Sequence, residues 1–299
     1  MSPVPYHRLP TEQRHPRSAD LDRLSSEQLI ALMNREDARV VRAVRQQRRQ
    51  IASAIHLIAH GLRCGGRLFF LGAGTSGRLG VIEAAECPPT FHTKPSMVQA
   101  LMAGGRRAVF RSQEGAEDRA EDARRLVRRR VRTGDVVVGV AASGVTPFVT
   151  AGLAEAAKRG AGTILITCNP RAVSAAHICI RLSVGPELLT GSTRLKAGTA
   201  TKLVLNMLTL GTMVRLGKTY GNLMVDVRPT SNKLRARAVT MIRQLTRCSE
   251  PDAARLLQAS HGQVKSAVVM AAQDLDYPAA RRRLARTGGS LRHALARRR

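Results

Sequence analysis

The sequence predicts an α/β fold: a parallel sheet of about five strands flanked by helices, followed by a small all-helical C-terminal module. Three observations carry this prediction. Between residues 67 and 184 five short apolar runs recur, each followed by a turn and a helical pattern. Within each run the apolar residues are continuous rather than alternating, as in strands buried on both faces. Beyond about residue 235 the strand pattern stops and only helical spacing remains. Strand–helix alternation of this kind builds parallel sheets with helices on both sides.

In chain order, residues 18–60 read as helices. Ser18 is a candidate cap for "SADLDRLSSEQLIALMNRED", and Ser25 precedes apolar residues at helical spacing in "SSEQLIALM". The strands follow as "RLFFL" (67–71), "SMVQALMA" (96–103), "DVVVGVAA" (135–142), "GTILITC" (162–168) and "HICIRLSV" (177–184). "SEPDAARLLQAS", "GQVKSAVVMAAQ" and "YPAARRRLART" then read as three or four short helices. The expected division is an N-terminal helical segment over 1–55, a sheet-bearing domain over 56–234 and a small helical domain over 235–299.

Composition narrows the class. With 299 residues and 43% hydrophobic content the chain is long enough for a full-sized core. No apolar run approaches the roughly 20 residues of a membrane helix. The polar, proline-rich start "MSPVPYHRLPTEQRHPRS" lacks the apolar stretch of a signal peptide. Five scattered cysteines without a Cys-x-x-Cys pair argue against disulfides and zinc, and for a cytoplasmic protein.

The formal charge of +28 is extreme, and 42 of the 49 basic residues are arginine. Arginines cluster in "RRLVRRRVR" (124–132) and "RRRLARTGGSLRHALARRR" (281–299), the latter with no acidic residue. A polyanion such as nucleic acid suits such clusters. Aromatics are only 3%, however, with no Trp to supply stacking platforms. Solvated arginine-rich helix faces are the favoured reading, with nucleic-acid binding through the tail kept as a side property.

Chemistry concentrates in three loops. The first strand runs into "GAGTSGRLG", with Gly72, Gly74 and Gly77 in Gly-x-Gly-x-x-Gly spacing. A dinucleotide site would need an acidic residue roughly 20 positions on for the ribose hydroxyls. That place reads "ALMAGG" (100–105), without an acid, and the loop instead carries Thr75 and Ser76. "AASGVTP" (141–147) repeats the Ser-Gly-x-Thr arrangement after the third strand. "ELLTGSTRLKAGTATKLVLNMLTLG" (187–211) brings Ser192, Thr193 and Lys196 before a long helix. Small hydroxyls and bare amides at helix N-termini, at the carboxyl ends of parallel strands, hold a phosphate monoester.

These loops carry a family resemblance. "LGAGTSGRLGVIEAAECPPTF", "EGAED", "GVAASGVTPFV", "GSTRLKAGTATKLVLNML" and "GKTYGNLMVDVRPT" together resemble the N-acetylmuramic acid 6-phosphate etherases, lyases on the sugar isomerase (SIS) fold. The resemblance runs from about Thr11 to the C-terminus. It implies a SIS sugar-phosphate-binding domain over 56–234. It implies cleavage of the D-lactyl ether of N-acetylmuramate 6-phosphate to N-acetylglucosamine 6-phosphate and D-lactate in peptidoglycan recycling, by a cytoplasmic homodimer. The alternative is a non-catalytic sugar-phosphate-binding regulator, since the glucokinase regulatory proteins share the fold and some loop motifs. Retention of two candidate acids argues against it.

An unactivated ether resists direct displacement. Elimination is easier: the open-chain aldehyde acidifies the hydrogen on carbon 2, its removal expels lactate from carbon 3, and water adds to the alkene. A base, an acid and an enolate donor suffice, with no cofactor or metal. Glu83 and Glu86 lie three residues apart on the helix after the first loop. Glu86 is expected where that helix ends at Cys87-Pro88-Pro89; the negative end of the dipole there penalises a carboxylate and favours a proton donor. By resemblance Glu86 matches the family's catalytic acid. The acids of "SQEGAEDRAEDARR" (112–125) are, by spacing alone, ordinary helix-start residues; the resemblance makes Glu117 the second catalytic position, serving the carbon 2 proton and the incoming water.

For the phosphate the candidates are Thr75, Ser76, Ser143, Gly144, Thr146 and Ser192, with Gly74, Gly77 and Thr193 as further substrate-binding candidates in the same loops. Arg194 and Lys196 are candidates for the sugar or the lactate carboxylate, and Lys202 and Asn206 either reach the ring or pack. Four places depart from the family pattern: Val145 where a basic residue is common, His15 where Asn is usual, His92 where Gly is usual, and "GGRRAVFRSQ" (104–113), more basic than expected just before Glu117.

Overall fold

The computed structural model describes residues 6–227 and 229–296. Ser18 caps no helix, because its hydroxyl donates to the His15 carbonyl (3.3 Å) and residues 21–23 form only a 3-10 turn. Helix α1 (Ser26–Gln46) starts instead at Ser25. The Ser25 hydroxyl accepts the Gln28 amide, and the Gln28 side chain accepts the Ser25 amide at 2.9 Å, a reciprocal capping box. Helix α2 (Arg48–Arg63) follows.

All five apolar runs are strands: β1 (Leu68–Gly72), β2 (Val98–Met102), β3 (Val136–Val140), β4 (Gly162–Thr167) and β5 (Ile178–Arg181). Between them lie α3 (Gly74–Phe91), α4 (Gly105–Phe110), a 3-10 turn at residues 116–118, α5 (Ala120–Arg130) and α6 (Pro147–Lys158). Every strand pair is parallel, in the order β2-β1-β3-β4-β5. The fold class expected from the sequence is borne out.

The alternation of the strands sorts the two faces. Phe69, Leu71, Val137 and Leu165 join Ala123 and Val127 of α5 and Phe148, Val149 and Leu153 of α6 in one buried cluster. On the other face Gly80 of α3 lies against Phe70, and Gly61 of α2 against Val136. Both faces are covered, so continuous apolar runs are what the sheet requires.

The chain packs as two compact units. One takes Pro95–Thr209 and the chain up to Ala85; the other takes Glu86–Lys94 and the chain from Leu210 onward. Helix α7 (Lys196–Arg215) precedes five short helices: α8 (Asn232–Thr246), α9 (Glu250–Ala259), α10 (Val264–Gln273), α11 (Tyr277–Arg286) and α12 (Leu291–Leu295). Ser231, Ser249, Asp276 and Ser290 cap four of them. Their apolar sides close over a second core of Met241, Ile242, Leu257, Val268 and Leu291.

A second local expectation fails. Pro88 and Pro89 do not end α3, which continues to Phe91. Proline's fixed φ is compatible with a helix. What is forfeited is the pair of amides that would reach back four residues, and the His92 amide closes the end on Pro88 O at 2.9 Å. Glu86 therefore lies before the last turn, beyond the short reach of the dipole end.

Candidate active site

The sheet order makes the site. The chain passes from β1 to β2 on one side, then returns to place β3 on the other side of β1. Ligands of open α/β sheets bind at such a switch point, outside the carboxyl ends of the strands. Gly72 is level with Val140, so the loops leaving β1 and β3 stand side by side, leading into α3 and α6.

Glycine is required twice in this construction. A Cβ on Gly77 would lie 2.8 Å from Gly72 O and 2.9 Å from Met102 Cγ, so only glycine lets α3 start so close to the strand. Gly144 has φ +78°, and a Cβ there would meet Thr167 Oγ1 at 2.9 Å and Ala172 Cβ at 2.8 Å. Buried Asn169 braces the same loop, donating from Nδ2 to Ser143 O at 3.0 Å.

The two loops open onto a cleft of about 340 Å³. Gly74, Thr75, Ser76, Ser143, Thr146, Thr193 and Glu117 line it, so seven of the residues singled out in the sequence converge. Thr146 stands at the N-cap of α6 without spending its hydroxyl on a capping bond. In α3 the first-turn amides of Gly74, Thr75 and Ser76 have no intrahelical acceptor, which leaves them for an anion. In α6 Pro147 has no N–H and the Val149 amide donates to Thr146 O at 3.0 Å, so Phe148 alone is left there. Glu117 arrives from the 3-10 turn, entered through Gly115 at φ +72° and anchored by buried Ala116.

Other candidates stand elsewhere. Gly77 and Gly144 shape the loops rather than line the cleft, and Ser192 and Arg194 are not among its lining residues. Lys196 is the first residue of α7, and its ammonium points into the interior, 2.8 Å from Glu36 Oε2. Its amide and that of Ala197 donate to Glu187 at 3.0 and 2.8 Å. A carboxylate of the chain itself thus occupies the N-terminus of α7, and the third loop offers the cleft side chain and backbone only. Burial pushes the Glu187 carboxyl up, against the pull of those two amides. Lys202 pairs with buried Glu83 and also bonds Asn206, so both pack. Thr209 donates to the other Glu83 oxygen at 2.8 Å. Glu86 is exposed on α3.

Two departures noted in the sequence acquire a place. The Arg17 amide donates to His15 Nδ1 (3.2 Å), so Nε2 carries the proton that faces Glu36 Oε2 at 3.1 Å. His92 adopts a left-handed φ of +51°, a conformation natural to glycine.

Several lining residues went unrecognised in the sequence: Thr11, Glu12, Arg78, Ser112, Gln113 and Glu114. Arg78 lies in "GAGTSGRLG" and Glu114 in "EGAED", where nothing local distinguishes either from an ordinary solvated charge. Thr11 and Glu12 come from the N-terminal segment, whose Thr11 carbonyl accepts the Gly191 amide at 3.2 Å. Among the described residues no group of three His, Cys, Asp or Glu could hold a metal.

Comparison with known proteins gives the lineage. Residues 50–157 match the glucokinase regulatory protein N-terminal SIS domain, and residues 117–211 match the SIS domain. A Nostoc sp. protein named N-acetylmuramic acid 6-phosphate etherase is 53% identical over 96% of this chain and 94% of its own length. Proteins of the same name from Symbiobacterium thermophilum and Rhodopirellula baltica are 50% and 49% identical, over 88% and 97% of both chains.

Proposed function

This chain belongs to the N-acetylmuramic acid 6-phosphate etherases, and from that premise we propose how its cleft performs the reaction. The protein is a lyase that cleaves the D-lactyl ether of N-acetylmuramic acid 6-phosphate, giving N-acetylglucosamine 6-phosphate and D-lactate. The regulatory alternative is not supported, since relatives matching nearly the whole chain carry the enzyme's name.

The phosphate docks at the N-termini of α3 and α6 among the hydroxyls of Thr75, Ser76, Ser143 and Thr146. Amides and hydroxyls hold the dianion without a lysine. Glu117 takes the carbon 2 proton as lactate leaves carbon 3, then returns that proton to carbon 2 as water adds to carbon 3, the water's own proton passing to the carboxylate left once the acid has protonated the lactyl oxygen. Protonation of the departing lactyl oxygen falls to Glu86, an assignment resting on the family motif alone. The observation that carries the reading is that Glu117 and the phosphate hydroxyls line one cleft. The sugar-phosphate-binding role of residues 56–234 and a separate helical domain over 235–299 belong to the same proposal.

The test is D-lactate release from N-acetylmuramic acid 6-phosphate. Glu117→Gln and Glu86→Gln should each lower kcat by about 10²–10⁴-fold, the usual worth of a general acid or base. Near-normal turnover in Glu86→Gln, with loss in Glu114→Gln, would move the acid role to the other glutamate of the "EGAED" motif.

Homodimerisation is supported by apolar side chains left exposed: Ile30 and Val41 on α1, Ile82 on α3 and Met207 on α7. Among the described residues no helix is long and apolar enough to cross a membrane. A substrate bearing two anionic groups does not cross bilayers unaided, which supports a cytoplasmic role in peptidoglycan recycling. Nucleic-acid binding by the tail stays outside this proposal; residues 297–299 of that tail lie outside the described residues.

A further inference from the structure

The substrate has two anionic groups, and the site described so far accounts for one. The lactyl carboxylate must enter a cleft that already presents Glu12, Glu114 and Glu117. The sequence offered Arg194 and Lys196 for it, yet neither lines the cleft and Lys196 is buried on Glu36. Arg78 is the one cationic side chain among the described residues that line it.

We propose that Arg78 recognises the lactyl carboxylate, and that this pairing lets the cleft distinguish N-acetylmuramic acid 6-phosphate from the same sugar without its lactyl ether. The inference rests on the etherase reading above. Three features carry it. First, Arg78 Nε donates to Val109 O at 2.9 Å, which fixes the guanidinium plane. Neither terminal nitrogen has a protein partner among the described residues, so two parallel donors remain for a planar carboxylate.

Second, the tether gives a direction. Val109 lies in α4, which follows β2, whereas Ser143 and Thr146 follow β3. Strands β2 and β3 flank β1 on opposite sides, so they stand about two strand spacings apart, roughly 10 Å. A phosphate between the α3 and α6 N-termini sits on the β3 side, and Arg78 serves the β2 side. The phosphate on carbon 6 and the carboxylate borne on carbon 3 of one hexose are separated on that scale.

Third, Glu117 also follows α4 along the chain and lines the same cleft. A carboxylate clamped by Arg78 would bring the carbon 3 ether beside the glutamate assigned to carbon 2. An unpaired carboxylate among three others would be repelled; paired with a fixed guanidinium it is held.

The experiment compares two ligands on wild type, Arg78→Gln and Arg78→Lys. One is the substrate, read as KM and kcat of D-lactate release. The other is N-acetylglucosamine 6-phosphate, which keeps the phosphate and lacks the lactyl group, read as an inhibition constant. Arg78→Gln should weaken the substrate by about 10- to 100-fold, the worth of a charge-assisted pair, and shift the product's constant by less than about threefold. Arg78→Lys, keeping the charge but not the fork, should fall between. Equal losses for both ligands would put Arg78 on the phosphate or on the fold and overturn the proposal, as would no loss for either. Should wild type release no lactate, the etherase reading fails separately. Calorimetric titration of the two ligands against wild type and Arg78→Gln would still read Arg78 by the same ratio.

Discussion

A lysine that the sequence offered to the substrate belongs to a charge cluster centred on buried Glu36. Glu36 Oε2 meets Lys196 Nζ at 2.8 Å, His15 Nε2 at 3.1 Å and Arg39 NH1 at 3.1 Å. Burial by itself raises the Glu36 carboxyl. The hydrogen bond and charge of Lys196, then His15 and Arg39, outweigh it and bring the group from 4.5 down to about 2. A carboxyl lower in the folded state than in the unfolded one stabilises above the unfolded value. That stabilisation fades as pH falls from about 5 toward 2 and is on the order of 3 kcal/mol. Glu36→Gln should therefore be markedly less stable than wild type at pH 7, and the gap should narrow at pH 3. Denaturant midpoints at the two pH values measure this; a gap independent of pH would remove the linkage. Backbone strain can be tested in the same way at Gly144. Gly144→Ala must hold a side chain at φ +78° against Thr167 and Ala172, and should lose about 1–3 kcal/mol in a denaturant titration.

At the scale of elements the two ends of the sheet do different work. At the amino end, fully buried Asp135 accepts the Arg67 amide (2.8 Å), the Arg67 guanidinium (2.7 Å) and the Arg132 amide (2.9 Å), joining the starts of β1 and β3. Asp135→Ala should cost about 3–5 kcal/mol, as removal of one partner from a buried pair does, while KM at low temperature stays unchanged. At the carboxyl end, Ser76→Ala combined with Ser143→Ala should do the opposite: raise KM by about tenfold or more with stability nearly intact, each hydrogen bond to a charged group being worth about 1.5–3 kcal/mol. Melting curves and D-lactate kinetics on both variants check the contrast. The carboxyl end was the legible one. Continuous apolar runs announced the strands, and the Ser-Thr-Gly loops after β1 and β3 announced the cleft they line, because each signal is local. Illegible were features that depend on distant partners. Lys196 and Glu36 are 160 positions apart. The start of α7 is capped by Glu187, and Arg78 is tethered by a carbonyl 31 positions on. The continuation of α3 through Pro88 and Pro89 overrides a sound local rule.

For the whole molecule the dominant fact is charge. The chain carries a formal +28, while its cleft presents three glutamates and one arginine. The local field at the site is thus opposed to the long-range field of the protein. Beyond a Debye length, about 10 Å at 0.1 M salt, only the sum is felt, and that sum attracts anions. The substrate, a phosphate monoester with an added carboxylate, should be drawn in by the distant arginines and sorted by the hydroxyls and Arg78 once inside. Salt screens the first effect far more than the second. Raising ionic strength from about 0.01 M to 0.15 M shortens the Debye length from roughly 30 Å to 8 Å. Over that range kcat/KM for D-lactate release should fall several-fold while kcat, set within the cleft, changes little. Charge reversal on the exposed face of α8, Arg235→Glu with Arg243→Glu, should flatten the salt dependence without altering kcat. If kcat/KM holds constant across that range, the arginine excess plays no part in substrate capture.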